Sequence, residues 1–173
     1  MITVISGTNR LDSYTKRVAN QYSKILKEMG EEVRFFSLED LPKDFITSDL
    51  YGNRSSEFQS VLDEMVVPVN KFVFIIPEYN GSFPGVVKTF IDGIPPKFFH
   101  TKKVGLIGVS SGQAGNLRGQ EHLTGIFQYL KMFVHYNKLK ISHVDKVLDA
   151  DGAFTSEADL NRLIEHATQM SAF

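Results

Sequence analysis

The chain has 173 residues, with 19 basic and 20 acidic side chains for a net charge of −1, and no cysteine. One domain burying roughly 70% of its unfolded surface is expected at this length, and the balanced charge offers no broad field to nucleic acid or an anionic membrane. The lack of cysteine excludes disulfides, thiolate metal sites and cysteine nucleophiles, and fits a reducing compartment.

The first element is the β-branched run "ITVIS", residues 2 to 6, which predicts a buried strand. No basic start or small-residue cleavage site accompanies it, and no window approaches the roughly 18 apolar residues of a spanning helix. A soluble cytoplasmic protein, with no membrane and no nucleic-acid partner, is the expectation. Val18, Tyr22, Ile25, Leu26 and Met29 follow at helical spacing. A second strand is predicted at "VRFFSL", 33 to 38, and a helix over Phe58, Val61, Leu62 and Met65. The third strand is "FVFIIP", 72 to 77, followed by a helix from Val86 to Ile91. The fourth is "VGLIGVS", 104 to 110, with a helix from Leu117 to Met132. A fifth strand at "LKISHV", 139 to 144, and a helix from Ser156 to Met170 complete the chain.

Strands alternating with helices imply a parallel sheet covered on both faces. Five such units predict an α/β, flavodoxin-like, doubly wound five-stranded sheet of order 2-1-3-4-5, filled by one domain over residues 1 to 173. The chain direction reverses between the first and third strands. Ligands in open α/β sheets bind beyond the carboxyl ends of the strands at that switch point, so the loops after strands one and three should face each other.

The loop after the first strand is "SGTNRLDSYTKRVA", residues 6 to 19. It leads into a helix N-terminus, where open backbone N–H groups and the helix dipole favour an anion. Ser6, Thr8, Ser13 and Thr15 add hydroxyls, and Arg10 adds a planar cationic fork. Neither G-x-x-x-x-G-K-[ST] nor G-x-G-x-x-G is present, so one phosphate monoester suits the loop better than a triphosphate or a dinucleotide. Asp12 would repel a phosphate and is expected to point outward. The loop after the third strand, "PEYNGSFPG" at 77 to 85, and "VSSGQAGNLRG" at 109 to 119 border the same sheet edge. Gly81, Gly85 and Gly112 place no Cβ in the way of a ligand, so peptide groups can meet the edge of a flat heterocycle, with Tyr79 and Phe83 as apolar cover; a dimer contact or core packing accounts for Phe83 almost as well.

"SGTNRLDSYTKRVA", "SLEDLP", "PEYNGSFPGVVKTFID" and "SSGQAGNLRG" followed by "EHLTGIFQYLKM" occur in that order across most of residues 2 to 132. Together they resemble the successive motifs of the NADPH-dependent FMN reductase family, flavodoxin-like enzymes that include quinone, azo-dye and chromate reductases. The resemblance implies FMN, with its phosphate on Thr8, Arg10, Ser13 and Thr15 beside Tyr14. It sets the isoalloxazine edge against Pro77, Glu78, Tyr79, Asn80 and Gly81, bordered by Ser110, Ser111 and Gly112. It further implies NADPH or NADH as co-substrate, a quinone, free flavin or similar small-molecule acceptor, and a homodimer or homotetramer. "GIPPKFF" at 93 to 99 and "AGN" at 114 to 116 depart from the family's usual runs, in regions that shape its dimer contact and acceptor pocket.

With flavin carrying the chemistry, no catalytic side chain is assigned. His100, His122, His135, His143 and His166 are scattered and read as structural or surface residues. Three other readings fit part of the pattern. "GVSSG" at 108 to 112 matches G-x-S-x-G after a strand, which makes Ser110 the nucleophile of a serine hydrolase with Asp149 or Asp151 and His166. A flavodoxin-type electron carrier would share the cofactor but not the oxidation of nicotinamides, and a ligand-binding module that has lost flavin is the third alternative.

Overall fold

The computed structural model describes residues 1–50 and 54–173. Its core is one sheet built from β1 (Ile2–Ser6), β2 (Val33–Ser37), β3 (Lys71–Pro77), β4 (Lys103–Val109), β5 (Phe133–Val134) and β6 (Leu139–Ile141). The order is β2-β1-β3-β4-β5, with β6 also on β4, and every pairing is parallel. The helices are α1 (Tyr14–Glu28), α2 (Ser56–Val61), α3 (Gly85–Asp92), α4 (Leu117–Tyr129), α5 (Val144–Val147) and α6 (Glu157–Ala172). The flavodoxin-like arrangement expected from the sequence is present.

The central strands read as near-continuous apolar runs because both faces are covered. On one face Ile5, Phe72, Phe74, Ile76, Val104 and Leu106 meet Phe58 of α2, Phe90 of α3 and Phe127 of α4. Their rings interlock, as in the Phe74–Phe127 pair at 5.0 Å, and such pairs add to the area term. On the other face Val4, Val73, Ile75 and Ile107 pack on Val18, Tyr22 and Leu26 of α1 and on Leu163, Ala167 and Met170 of α6. Gly105 belongs to this second face, where a Cβ would stand 2.7 Å from Met170 Sδ.

The expected fifth strand is corrected in form. Two short segments share its place: Phe133–Val134 pairs with the start of β4, and Leu139–Ile141 with its end. Between them His135 donates its N–H to the Val104 carbonyl, after which Asn137 turns aside. Its N–H donates to His135 Nδ1, and its side-chain amide donates to Gln169 Oε1. Side-chain bonds of this kind compete with the ladder. α4 also stops three residues early, because Lys131 has a left-handed φ of 59°.

Three loops leave the carboxyl edge of the sheet together. Ser6 of β1 lies opposite Ile75, and Pro77 of β3 opposite Val109 of β4. The Gly7 N–H donates to the Ile75 carbonyl at 2.7 Å, and a Cβ there would meet Ile76 Cγ2 at 2.7 Å. Glycine is what lets the first loop start so close to β3.

Candidate functional site

At that edge lies a cavity of about 560 Å³ between the loops after β1, β3 and β4. Its size falls in the range of small-molecule and cofactor sites. Arg10, Ser13, Tyr14 and Thr15 line one wall; Pro77, Glu78, Tyr79, Ser110 and Ser111 line the other. A trough of about 330 Å³ continues it past Asn80, Gly81 and Gly112, sharing Glu78, Ser110 and Ser111 with the larger space. The switch-point loops therefore face each other, and twelve of the thirteen residues singled out for the cofactor line this surface. Thr8 is the exception.

Ser13 caps α1: its Oγ accepts from the Lys16 N–H at 3.1 Å. The Tyr14 and Thr15 N–H groups have no partner among the described residues, and no acidic residue sits in the first turn. Both features suit an anion. Arg10 is exposed, and its guanidinium makes no hydrogen bond or ion pair among the described residues. Neighbouring cations are engaged elsewhere. Lys16 Nζ is 2.8 Å from Glu39 Oε2, which raises its pKa, and Arg17 lies over the Tyr14 ring and donates to the Ala150 carbonyl. Asp12 is exposed at the cavity's mouth, with a left-handed φ of 50°.

Thr8 is only 1% exposed and stands behind this wall. Its Oγ1 is 2.8 Å from the Tyr79 hydroxyl and accepts from the Arg10 N–H at 3.2 Å. It positions the first loop against the third rather than facing the cavity.

The third loop is a tight hairpin. Tyr79 and Ser82 exchange backbone hydrogen bonds of 2.9 and 3.1 Å, with Asn80 at φ 52° and Gly81 at φ 75°. Two successive positive φ values define the turn that Asn-Gly favours. A Cβ on Gly112 would meet nothing within 4 Å, and one on Gly81 only Arg118. The backbone thus borders open space on both sides of the trough. Of the readings open for Phe83, core packing is the one observed. The expectation for Gly85 is corrected: it lines a separate cavity beyond Tyr79, between α3 and the loop after β2.

Asn116 was not singled out, yet it holds the wall together. It is fully buried at the left-handed N-cap of α4. Its amide donates to the Pro77 carbonyl at 2.8 Å, its Oδ1 accepts from the Gly119 N–H, and its own N–H donates to Glu78 Oε2 at 3.2 Å. An asparagine just before a helical run is the signal that would have found it.

The hydrolase alternative is contradicted. Ser110 Oγ donates to the Gly112 carbonyl at 2.8 Å and accepts from the Gly115 N–H at 3.0 Å, so it closes its own loop. His166 is fully buried with Nδ1 2.8 Å from the Tyr22 hydroxyl, and Asp149 accepts from the Asp151 and Ala153 N–H groups. Each member of the supposed triad is committed to a separate local structure.

Over residues 1–146 the chain matches the family described as NADPH-dependent FMN reductase. A 2-hydroxy-1,4-benzoquinone reductase of a Burkholderia species is 27% identical over 161 residues, which are 90% of this chain and 86% of that protein. An NAD(P)H:quinone oxidoreductase of Solanum tuberosum is 28% identical over 171 residues, covering 92% and 84%. Among solved structures, the flavoenzyme NAD(P)H:(acceptor) oxidoreductase FerB of Paracoccus denitrificans superposes with a TM-score of 0.75 at 21% identity, covering 98% of this chain and 97% of that one.

Proposed function

The chain belongs to the NADPH-dependent FMN reductase family, and from that premise we propose that it holds FMN across the three loops and uses it to reduce a quinone with NAD(P)H. FMN-dependent oxidation of NAD(P)H is the family's activity, and the quinone follows the names of the two relatives. The assignment of residues is argued from the site. The observation that carries it is the Arg10 guanidinium, without a partner among the described residues, on the same cavity wall as the open Tyr14 and Thr15 N–H groups, with a trough bordered by Gly81 and Gly112 beyond the facing loops.

The residues present fit the cofactor. Arg10, the N–H groups of Tyr14 and Thr15 and the Thr15 hydroxyl would hold the phosphate, with Ser13 keeping the helix start in place. The Asn80, Gly81, Ser111 and Gly112 N–H groups have no partner among the described residues and border the trough. They would meet the polar edge of the ring. Pro77 and Tyr79 wall the cavity, Glu78 braces it through Asn116, and Ser110 keeps the fourth loop closed. FMN bound there would supply the redox chemistry, hydride acceptance and two-electron reduction, that the side chains lack. The chain's part is to bind, orient and exclude competing geometry, without an acid, base or nucleophile of its own.

The groove between α3 and α4 supports a homodimer as the assembly. Ile91, Ile94, Ile126 and Leu130 line it, and Tyr129 at its rim is 86% exposed. No helix among the described residues is long and apolar enough to cross a membrane. Steady-state assays with FMN, NADPH or NADH and a benzoquinone test the function, the expected pattern being the parallel lines of a ping-pong scheme. Tight FMN binding with no turnover of either nicotinamide would replace this reading with an electron carrier.

A further inference from the structure

The separate cavity between the loop after β2 and the start of α3 has a volume of about 570 Å³. The buried Leu38, Phe45 and Pro84 line it together with the more exposed Leu41, Ile46 and Val86. Phe45 is fixed in place, since its ring packs edge-on against Phe58 at 4.5 Å and its N–H donates to the Pro42 carbonyl. The polar lining is mostly engaged within the fold. Lys16 Nζ matches Glu39 at 2.8 Å, and the Thr89 hydroxyl donates to the Gly85 carbonyl. Asp40 and Asp44 neighbour the cavity in sequence but do not line it. Asn9 and Lys43 do line it, both exposed, and neither side chain has a partner among the described residues. One free cation and one free carboxamide beside an apolar surface complement a flat organic anion.

This cavity shares a wall with the one assigned to the cofactor. Tyr79 lines both, and of two successive residues Asn9 lines the second cavity and Arg10 the first. Thr8 fastens that wall, with its Oγ1 2.8 Å from the Tyr79 hydroxyl and accepting from the Arg10 N–H. Resting on the reading that FMN fills the first cavity, we propose that the second binds an aromatic carboxylate and that the shared wall couples the two sites, each ligand tightening the other. The apolar lining takes the ring, and Lys43 and Asn9 take the carboxylate. A ligand on either side holds Tyr79 and residues 8 to 10 in place, so the next one to bind has less of the wall left to order. Such coupling is reciprocal.

The probe is 1-naphthoate, flat, anionic and redox-inert, titrated by calorimetry into FMN-loaded and flavin-free protein. One saturable site is expected, with neutral 1-naphthamide about 3- to 10-fold weaker, as for an exposed charge pair. Lys43→Gln should weaken 1-naphthoate by the same factor and leave 1-naphthamide alone. Gly85→Leu should abolish binding of both: a Cβ there would meet nothing within 4 Å, and the position opens α3, where leucine is the better helix former. FMN binding by that variant shows that the first cavity is intact. Bound FMN should tighten 1-naphthoate about 5-fold or more, and 1-naphthoate should tighten FMN by the same factor. Tyr79→Phe keeps the ring but deletes the bond to Thr8, and should shrink both factors. Weakening of FMN by 1-naphthoate would place the probe in the first cavity and overturn the proposal. Binding that neither Lys43→Gln nor Gly85→Leu disturbs would place it elsewhere, and the absence of a saturable site, or binding indifferent to FMN, is equally fatal. If wild type binds no FMN, the reading of the first cavity fails, while the flavin-free titrations of wild type and the two variants still decide whether the second is a site.

Discussion

The Thr8 Oγ1 and Tyr79 Oη atoms lie 2.8 Å apart across a sequence separation of 71 residues, tying the loop after β1 to the loop after β3. Because Thr8 also accepts the Arg10 N–H, this one hydroxyl sets where the arginine and the tyrosine stand relative to each other. Thr8→Val keeps the shape and deletes the bond, which is worth about 1 kcal/mol. FMN and riboflavin should therefore weaken together by about 3- to 10-fold, as read by quenching of flavin fluorescence. A loss confined to FMN would mean that Thr8 meets the phosphate after all.

Arg10→Ala should behave differently. A charge-assisted hydrogen bond is worth about 1.5 to 3 kcal/mol, so FMN should weaken by about 10- to 150-fold and riboflavin by less than about twofold. Lys16 is held by Glu39 and Arg17 by Tyr14 and Ala150, so neither is free to replace the lost charge. Raised salt should narrow the difference between wild type and variant, since Arg10 is exposed. Equal weakening of both flavins would remove the phosphate from this end of the cavity.

Ser110→Ala removes a brace rather than a nucleophile. The Gly115 N–H loses its acceptor and the Gly112 carbonyl its donor, at a cost of about 1 to 3 kcal/mol in urea unfolding. Turnover of NAD(P)H should stay within about an order of magnitude of wild type, and neither protein should hydrolyse an ester such as p-nitrophenyl acetate. Esterase activity present in wild type and absent from the variant would revive the hydrolase reading.

His166 makes stability depend on pH. Burial, with the His135 ring 5.8 Å away, pushes its pKa down to about 4 from the usual 6.5. An unfolded chain takes up the proton below pH 6.5 and the folded chain refuses it until about pH 4, so stability is full above the first value and falls between the two. Between pH 7 and 5 the loss from this residue should be about 2 kcal/mol. His166→Gln should be less stable at pH 7, because the Tyr22 hydroxyl loses its partner, but its stability should decline less on acidification. Parallel declines in urea titrations at the two pH values, with flavin concentration held fixed, would show that His166 is not the titrating group.

Much of this protein was legible along the chain. Continuous apolar runs such as "FVFIIP" and helix faces such as Val18, Tyr22 and Leu26 report burial directly, because a strand covered on both sides and an amphipathic helix have different periods. Arg10, the start of α1 and the glycine-backed loops stand out in the sequence because anion binding and a close backbone approach each have local residue requirements, and the fold brings these segments to one edge of the sheet. The Asn80–Gly81 turn was equally legible from its dipeptide, though the sequence reading used only the glycine. Tertiary structure alone decided which polar groups remain free. Ser110 and Thr8 offer the same hydroxyl chemistry as Thr15 in sequence, but Gly112 and Gly115 occupy the first, and Tyr79 and the Arg10 N–H the second. The side chains of Lys16 and Glu121 are likewise claimed by distant partners, while Arg10 has no partner among the described residues. Local patterns specify what a residue is able to bind, and only the packed fold shows whether another part of the chain already binds it.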